Sequence, residues 1–81
     1  MALVPVHMPK FGMTMTEGLI TQWHVEEGAT VREGDLLFSV ETEKATADVD
    51  APAAGVVVKI SAAAQSEVPV GSVVAYIETN D

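Results

Sequence analysis

The chain has 81 residues, 48% of them hydrophobic but only 5% aromatic, and twelve acidic side chains against four basic ones give a formal net charge of -8. Such a length supports one domain with one small core; the acidity excludes nucleic-acid and anionic-membrane surfaces, and the absence of cysteine excludes disulfides and thiolate metal sites. No apolar run reaches transmembrane length, and Met1-Ala2-Leu3-Val4-Pro5 does not read as a signal peptide, so a soluble, monomeric intracellular module is expected, in a bacterial cytoplasm or alternatively a mitochondrial matrix.

In chain order, Leu19 to Val25 is a β-rich run opened by Gly18, followed by the turn-like Glu26-Glu27-Gly28-Ala29. A second strand, Leu36 to Glu41, follows Gly34. The short stretch Glu41-Thr42-Glu43-Lys44-Ala45-Thr46 has strand signals close on both sides and predicts a tight turn with Lys44 at its tip. Val56 to Ala62, opened by Gly55, and Val73 to Glu78, after Gly71, repeat the strand pattern around a turn at Ala64-Gln65-Ser66. Pro5, Pro9, Pro52 and Pro69 are spread along the chain and argue against long helices. Strict alternation in the first run puts Leu19, Trp23 and Val25 on one face and leaves Ile20 on the other. A bulge near Thr21-Gln22 would instead bring Ile20 and Trp23 inward together.

The chain also repeats itself. Gly18 and Gly55 stand 37 apart, as do Gly34 and Gly71, and the same offset matches Val31 with Val68, Leu37 with Val74, Val40 with Ile77, Glu41 with Glu78, Thr42 with Thr79 and Trp23 with Ile60. Two halves, about 8–44 and 45–81 of a single 1–81 domain, closing on each other about a pseudo-twofold axis fit this better than a solenoid, which needs at least about three repeats. The residues alone support two small antiparallel sheets packed face to face. Shifting Lys44 by the offset gives positions 81 and 7, which puts its turn at the opposite end of the domain from both chain ends. Gly18, Gly34, Gly55 and Gly71 read as turn or bulge positions.

The run Val40-Glu41-Thr42-Glu43-Lys44-Ala45 resembles the lipoyl-attachment motif of the acyltransferase (E2) components of 2-oxo acid dehydrogenases. Met8-Pro9-Lys10, Met15-Thr16-Glu17-Gly18, Trp23, Glu27-Gly28, Gly34-Asp35 and Ala51-Pro52-Ala53-Ala54-Gly55 extend the resemblance over essentially the whole chain. Glu43 stands where that family usually has Asp, which keeps the charge and adds one methylene. The resemblance implies a flattened β-barrel or sandwich of two four-stranded antiparallel sheets. It implies lipoic acid in amide linkage on Lys44, which takes the net charge from -8 to -9. It further implies a non-catalytic carrier that shuttles acyl groups and reducing equivalents among three partners: a thiamin-diphosphate decarboxylase (E1), the E2 acyltransferase core and the dehydrogenase E3. A lipoate ligase or octanoyltransferase would load it. The cofactor carries the chemistry, and tethering raises its effective concentration at each site. Pyruvate, branched-chain and acetoin systems are all open as the parent complex, with Met13-Thr14-Met15-Thr16-Glu17-Gly18 leaning toward the pyruvate or acetoin type.

Around the lysine, Glu41, Glu43 and Ala45 are the candidate recognition residues, Glu43 more than Glu41, whose repeat mate Glu78 points to an architectural part. Family analogy brings Phe11, Gly12 and Met13 beside the turn; their apolar side chains are equally readable as core cover. Lys10, Arg32 and Lys59 read as solvated charges, Trp23 as a core residue, and His7 and His24 as histidines without partner motifs, so no catalytic or metal site is expected. A biotin carrier shares the lysine hairpin, but that family places methionines beside the lysine, where Glu43 and Ala45 stand here. A glycine-cleavage carrier is longer and has helical additions, and an unmodified adaptor would not need the Glu-Lys-Ala turn.

Overall fold

A computed structural model describes residues 2–13, 15–43 and 45–80. Eight strands follow one another without a helix among the described residues: β1 (Ala2–His7), β2 (Glu17–Trp23), β3 (Thr30–Val31), β4 (Leu36–Glu41), β5 (Thr46–Asp50), β6 (Gly55–Ile60), β7 (Ser66–Pro69) and β8 (Val73–Thr79). They form two four-stranded sheets, ordered β1-β8-β6-β3 and β5-β4-β2-β7, with every pairing antiparallel. Each sheet takes two strands from each half of the chain. Replacing each strand by the one four places along converts one sheet order into the other, which is the pseudo-twofold relation that the repeat anticipates.

The register carries the relation to single residues. In β2 the pairing with β4 steps from Ile20↔Val40 to Gln22↔Ser39, so the bulge expected near Thr21-Gln22 is present. It recurs 37 residues on, where β6 steps from Val57↔Ile77 to Lys59↔Tyr76 against β8. A bulge puts two residues opposite one and resets which side chains face inward. Ile20 is thereby fully buried while Trp23 still packs on the core. The register also extends the repeat to β1, which lies outside the 8–44 half read from sequence. Glu41 pairs with Thr46 as Glu78 pairs with Leu3, so β1 maps onto β5 with an offset of 43 rather than 37. Between His7 and Gly18, which map onto Asp50 and Gly55, the chain is therefore six residues longer than between their mates.

The core between the sheets is built from repeat mates: Ile20 with Val57, Val31 with Val68, Leu37 with Val74, Phe38 with Ala75, and Val40 with Ile77 are all buried. Volumes are not symmetric. Phe38, packed against Trp23 with 4.7 Å between ring centroids and the planes inclined at 42°, fills from one side what Ala75 and Ile60 leave open on the other. Trp23 Nε1 donates to the Ala62 carbonyl at 2.7 Å, so the one polar atom of the indole is satisfied where Trp23 lies half-buried against the core.

Gly18 and Gly55 are needed for close approach rather than for a turn. A Cβ on Gly18 would lie 2.7 Å from Val40 Cγ1 and 2.9 Å from Met15 Cε, and one on Gly55 would overlap the Glu78 carbonyl oxygen. The left-handed backbone falls to Gly28, Gly34 and Gly71 instead, near φ 90°.

Candidate functional site

The β4–β5 hairpin closes through Glu41↔Thr46 and the pair Thr42–Ala45 beyond it. Thr42 N–H donates to the Ala45 carbonyl at 2.8 Å, and the Thr42 hydroxyl donates to the same oxygen at 3.0 Å. Ala45 N–H in turn donates to Thr42 Oγ1 at 3.2 Å. Glu43 and Ala45 are exposed. Lys44, the attachment residue expected from the sequence, lies outside the described residues; both residues that flank it, Glu43 and Ala45, are described.

Under the offsets of 37 and 43, Thr42 maps onto Thr79 and Ala45 onto Ala2, which are themselves a register pair. Thr79 Oγ1 donates to the Ala2 carbonyl at 3.4 Å, the same side chain to the same carbonyl as in the hairpin. Position 7, reached by the single offset, is therefore not the counterpart of the turn; His7 maps onto Asp50, at the far end of β5. The hairpin and the Ala2–Thr79 pair sit at opposite ends of a domain 37 Å long and about 20 Å across. β8 shows why: the loop beside the hairpin is tied to the residues just before β8, whereas Thr79 ends that strand seven residues on.

That loop is the long β1–β2 connection. Met8 N–H donates to the Ser72 carbonyl at 2.9 Å, Gly71 N–H to Met8 at 2.9 Å and Val70 N–H to Thr16 at 3.0 Å, which clamps both ends of the loop to one segment. Met8 is buried and Met15 packs on the core, over the gap that Gly18 leaves by lacking a side chain. Met8 and Met15 take the covering role. Phe11 and Met13 do not: they are 44% and 93% exposed. A shallow groove runs between loop and hairpin, with Phe11, Gly12 and Met15 on one wall and Glu41, Glu43 and Ala45 on the other. Five of the sequence-predicted neighbours of Lys44 thus share one surface; Met13 projects from the loop outside the groove. Glu17 and Glu67 also border it, so its described charges are all negative.

Sequence reasoning does not reach Thr42. Its one signal is the match to Thr79 in the repeat, but repetition points to architecture and does not show a hydroxyl bonded to both main-chain polar groups of Ala45. His24 also has partners that no motif announced. Its Nε2 lies 2.8 Å from Ser39 Oγ, and that hydroxyl donates to Asp48 Oδ1 at 2.8 Å. The order is wrong for a hydrolytic triad, where histidine sits between serine and carboxylate. Here the serine directs its only proton to Asp48, so the imidazole is the donor to the hydroxyl and does not serve as its base. Lys10, Arg32 and Lys59 are exposed, as solvated charges should be.

The geometry defines a small β-domain that holds one hairpin tip clear of its core. The biotin/lipoyl family model, described as "Biotin-requiring enzyme", matches residues 4–77, and the chain belongs to that family. It is 39% identical over 70 residues to the dihydrolipoyllysine-residue acetyltransferase component of the acetoin cleaving system of Pseudomonas putida, covering 86% of this chain and 19% of the relative. It is 41% identical over 76 residues to the dihydrolipoyllysine-residue acetyltransferase component of the pyruvate dehydrogenase complex of Corynebacterium glutamicum, covering 94% and 11%. The solution structure of the lipoyl domain of the 2-oxoglutarate dehydrogenase complex from Azotobacter vinelandii superposes with a TM-score of 0.79 at 24% identity, over 96% of this chain and 99% of that one. The fold is that of a lipoyl domain, and the chain spans a tenth to a fifth of the curated relatives it matches.

Proposed function

We propose that the chain is a lipoyl carrier domain of an acyltransferase (E2) component, with lipoic acid in amide linkage on Lys44. The observation that carries this is the β4–β5 hairpin: Glu43-Lys44 spans the step between Thr42 and Ala45, whose own bonds close the turn beneath it. A group attached there suits its surroundings, because the flanking Glu43 and Ala45 are exposed and an open groove lies alongside. When bound, the lipoyl group supplies acyl-transfer and two-electron redox chemistry. The chain supplies presentation. It keeps the Thr42–Ala45 end of the hairpin at the opposite end of the domain from the Ala2–Thr79 pair, so that chain joined near that pair would stay clear of visiting active sites. Phe11 on one side and Glu41 and Glu43 on the other give a partner both apolar and charged surface beside the lysine. The domain turns over no substrate itself. Its partners are E1, the E2 core and E3, with a lipoate ligase or octanoyltransferase for loading.

Intact mass and peptide mapping after expression in a lipoate-replete host test the reading. A lipoyl or octanoyl adduct confined to Lys44 is expected, and Lys44→Ala should abolish it while shifting stability by less than about 0.5 kcal/mol, as for surface substitutions generally. A biotinyl adduct, or modification of Lys10 or Lys59, would overturn it. Reductive acylation by purified E1 enzymes with different 2-oxo acids then identifies the parent complex.

A further inference from the structure

We propose that Thr42 is a positioning residue for the modified lysine: its hydroxyl closes the turn that presents Lys44. The inference rests on the lipoyl-carrier reading and adds to it a residue whose chemistry is not that of the attachment itself. Two-residue hairpin loops ordinarily close in turns with positive φ at one or both central positions, which Asn and Gly supply. Glu43-Lys44 is not such a pair, and among the described residues the only non-glycine with positive φ is Gln65. Glu43 therefore does not adopt the conformation that such turns use to bring the main chain of the two strands together.

Thr42 compensates with its side chain. Its Oγ1 accepts from Ala45 N–H at 3.2 Å and donates to the Ala45 carbonyl at 3.0 Å, so one hydroxyl holds both polar groups of the residue that follows the lysine. The repeat separates this from general architecture. Thr79 makes the bond to the Ala2 carbonyl, at 3.4 Å, in the same way. The bond from the amide to the hydroxyl belongs to Thr42, at the one end where the chain must turn. Thr42 is half-buried and Ala45 exposed, so the clamp works at the surface, beneath the tip rather than in the core. A modifying enzyme has to take the lysine from a hairpin of defined direction. A tip released on one side spends part of its time in arrangements that such an enzyme does not accept.

The test compares Thr42→Ser, Thr42→Val and Thr42→Ala with wild type by three measurements. These are kcat/KM for lipoylation by a purified lipoate ligase, hydrogen exchange of the Ala45 amide, and melting temperature. Valine keeps the shape without the hydroxyl and serine keeps the hydroxyl. Valine and alanine should lower kcat/KM roughly five- to tenfold, the population change that one ordinary hydrogen bond sets. They should also speed Ala45 exchange while leaving the melting temperature within about 2 °C. Serine should restore both kcat/KM and exchange. Lipoylation of the valine and alanine variants at the wild-type rate overturns the proposal, as does a serine variant as slow as alanine. A loss that merely follows a lowered melting temperature makes Thr42 structural and also overturns it. If wild type and Thr42→Ser are as unreactive as Thr42→Val, the carrier reading itself has failed.

Discussion

At the scale of single residues, the two glycines that the repeat aligns do the same job with unequal tolerance. The Cβ of a Gly18→Ala side chain meets the buried Val40 Cγ1 and the flexible end of Met15, side chains rather than main chain. In Gly55→Ala it meets the main-chain carbonyl of Glu78, paired through Val56 in the centre of a sheet. Gly55→Ala should therefore cost about 1–3 kcal/mol, the range for overpacking, and Gly18→Ala distinctly less. Urea denaturation of the two variants checks the order, and equal losses would mean that the β6–β8 pair relaxes more than its hydrogen bonds suggest. Trp23 is a second case. Trp23→Phe keeps an aromatic partner for Phe38 but leaves the Ala62 carbonyl without its 2.7 Å donor, with an expected loss of about 1–2 kcal/mol from the hydrogen bond and the lost ring area together.

At the scale of elements, the bulge decides which face of β2 is core. Pairing is in register through Ile20↔Val40 and resumes at Gln22↔Ser39, and the added residue turns Trp23 toward Phe38. Deleting Thr21 would restore strict alternation and reverse the facing of everything after it, since a one-residue slip swaps the two faces of a strand. That variant should lose cooperative unfolding and near-ultraviolet circular dichroism, whereas Thr21→Ala, which keeps the residue count and loses only the 3.3 Å bond to the Ser39 carbonyl, should fold. A folded deletion variant would show that the bulge is a consequence of packing rather than its cause. The long β1–β2 loop is the other element that matters. It departs from the repeat by six residues, and those residues build one wall of the groove beside the hairpin.

At the scale of the molecule, the pseudo-twofold axis relates two outer sheet faces of very different charge. The face of β5-β4-β2-β7 carries Glu41, Asp48, Asp50 and Glu67, all exposed. The equivalent positions on the other sheet are Glu78, Pro5, His7 and Thr30. Backbone symmetry is kept and charge symmetry is not, so the net charge of -8 is spread unevenly. If E1 meets the domain from the hairpin side, reductive acylation should fall with ionic strength mainly through KM, because steering by exposed charges is screened beyond about 8 Å at physiological salt. Asp48→Asn should raise KM by more than Glu78→Gln does, each removing one negative charge. Identical effects from the two faces would show that total charge matters and its placement does not.

Much of this was legible in the sequence because the repeat is written in residue types that have few physical alternatives. Glycines 37 apart, apolar residues at matched positions and a short charged turn between strand signals are enough for an all-β domain of two related halves and for the turn that carries Lys44. The tertiary structure decided what depends on contacts between residues distant in the chain. Strand β1 escaped the repeat because its offset is 43, which only its pairing with β8 exposes. The loop from Phe11 to Met15 could have covered the core or faced the hairpin. Packing divided it, drawing Met8 and Met15 inward over Gly18 and leaving Phe11 and Met13 out. The grip of Thr42 on Ala45 depends on backbone direction across a turn, which residue identity constrains only weakly when neither central residue is glycine, asparagine or proline.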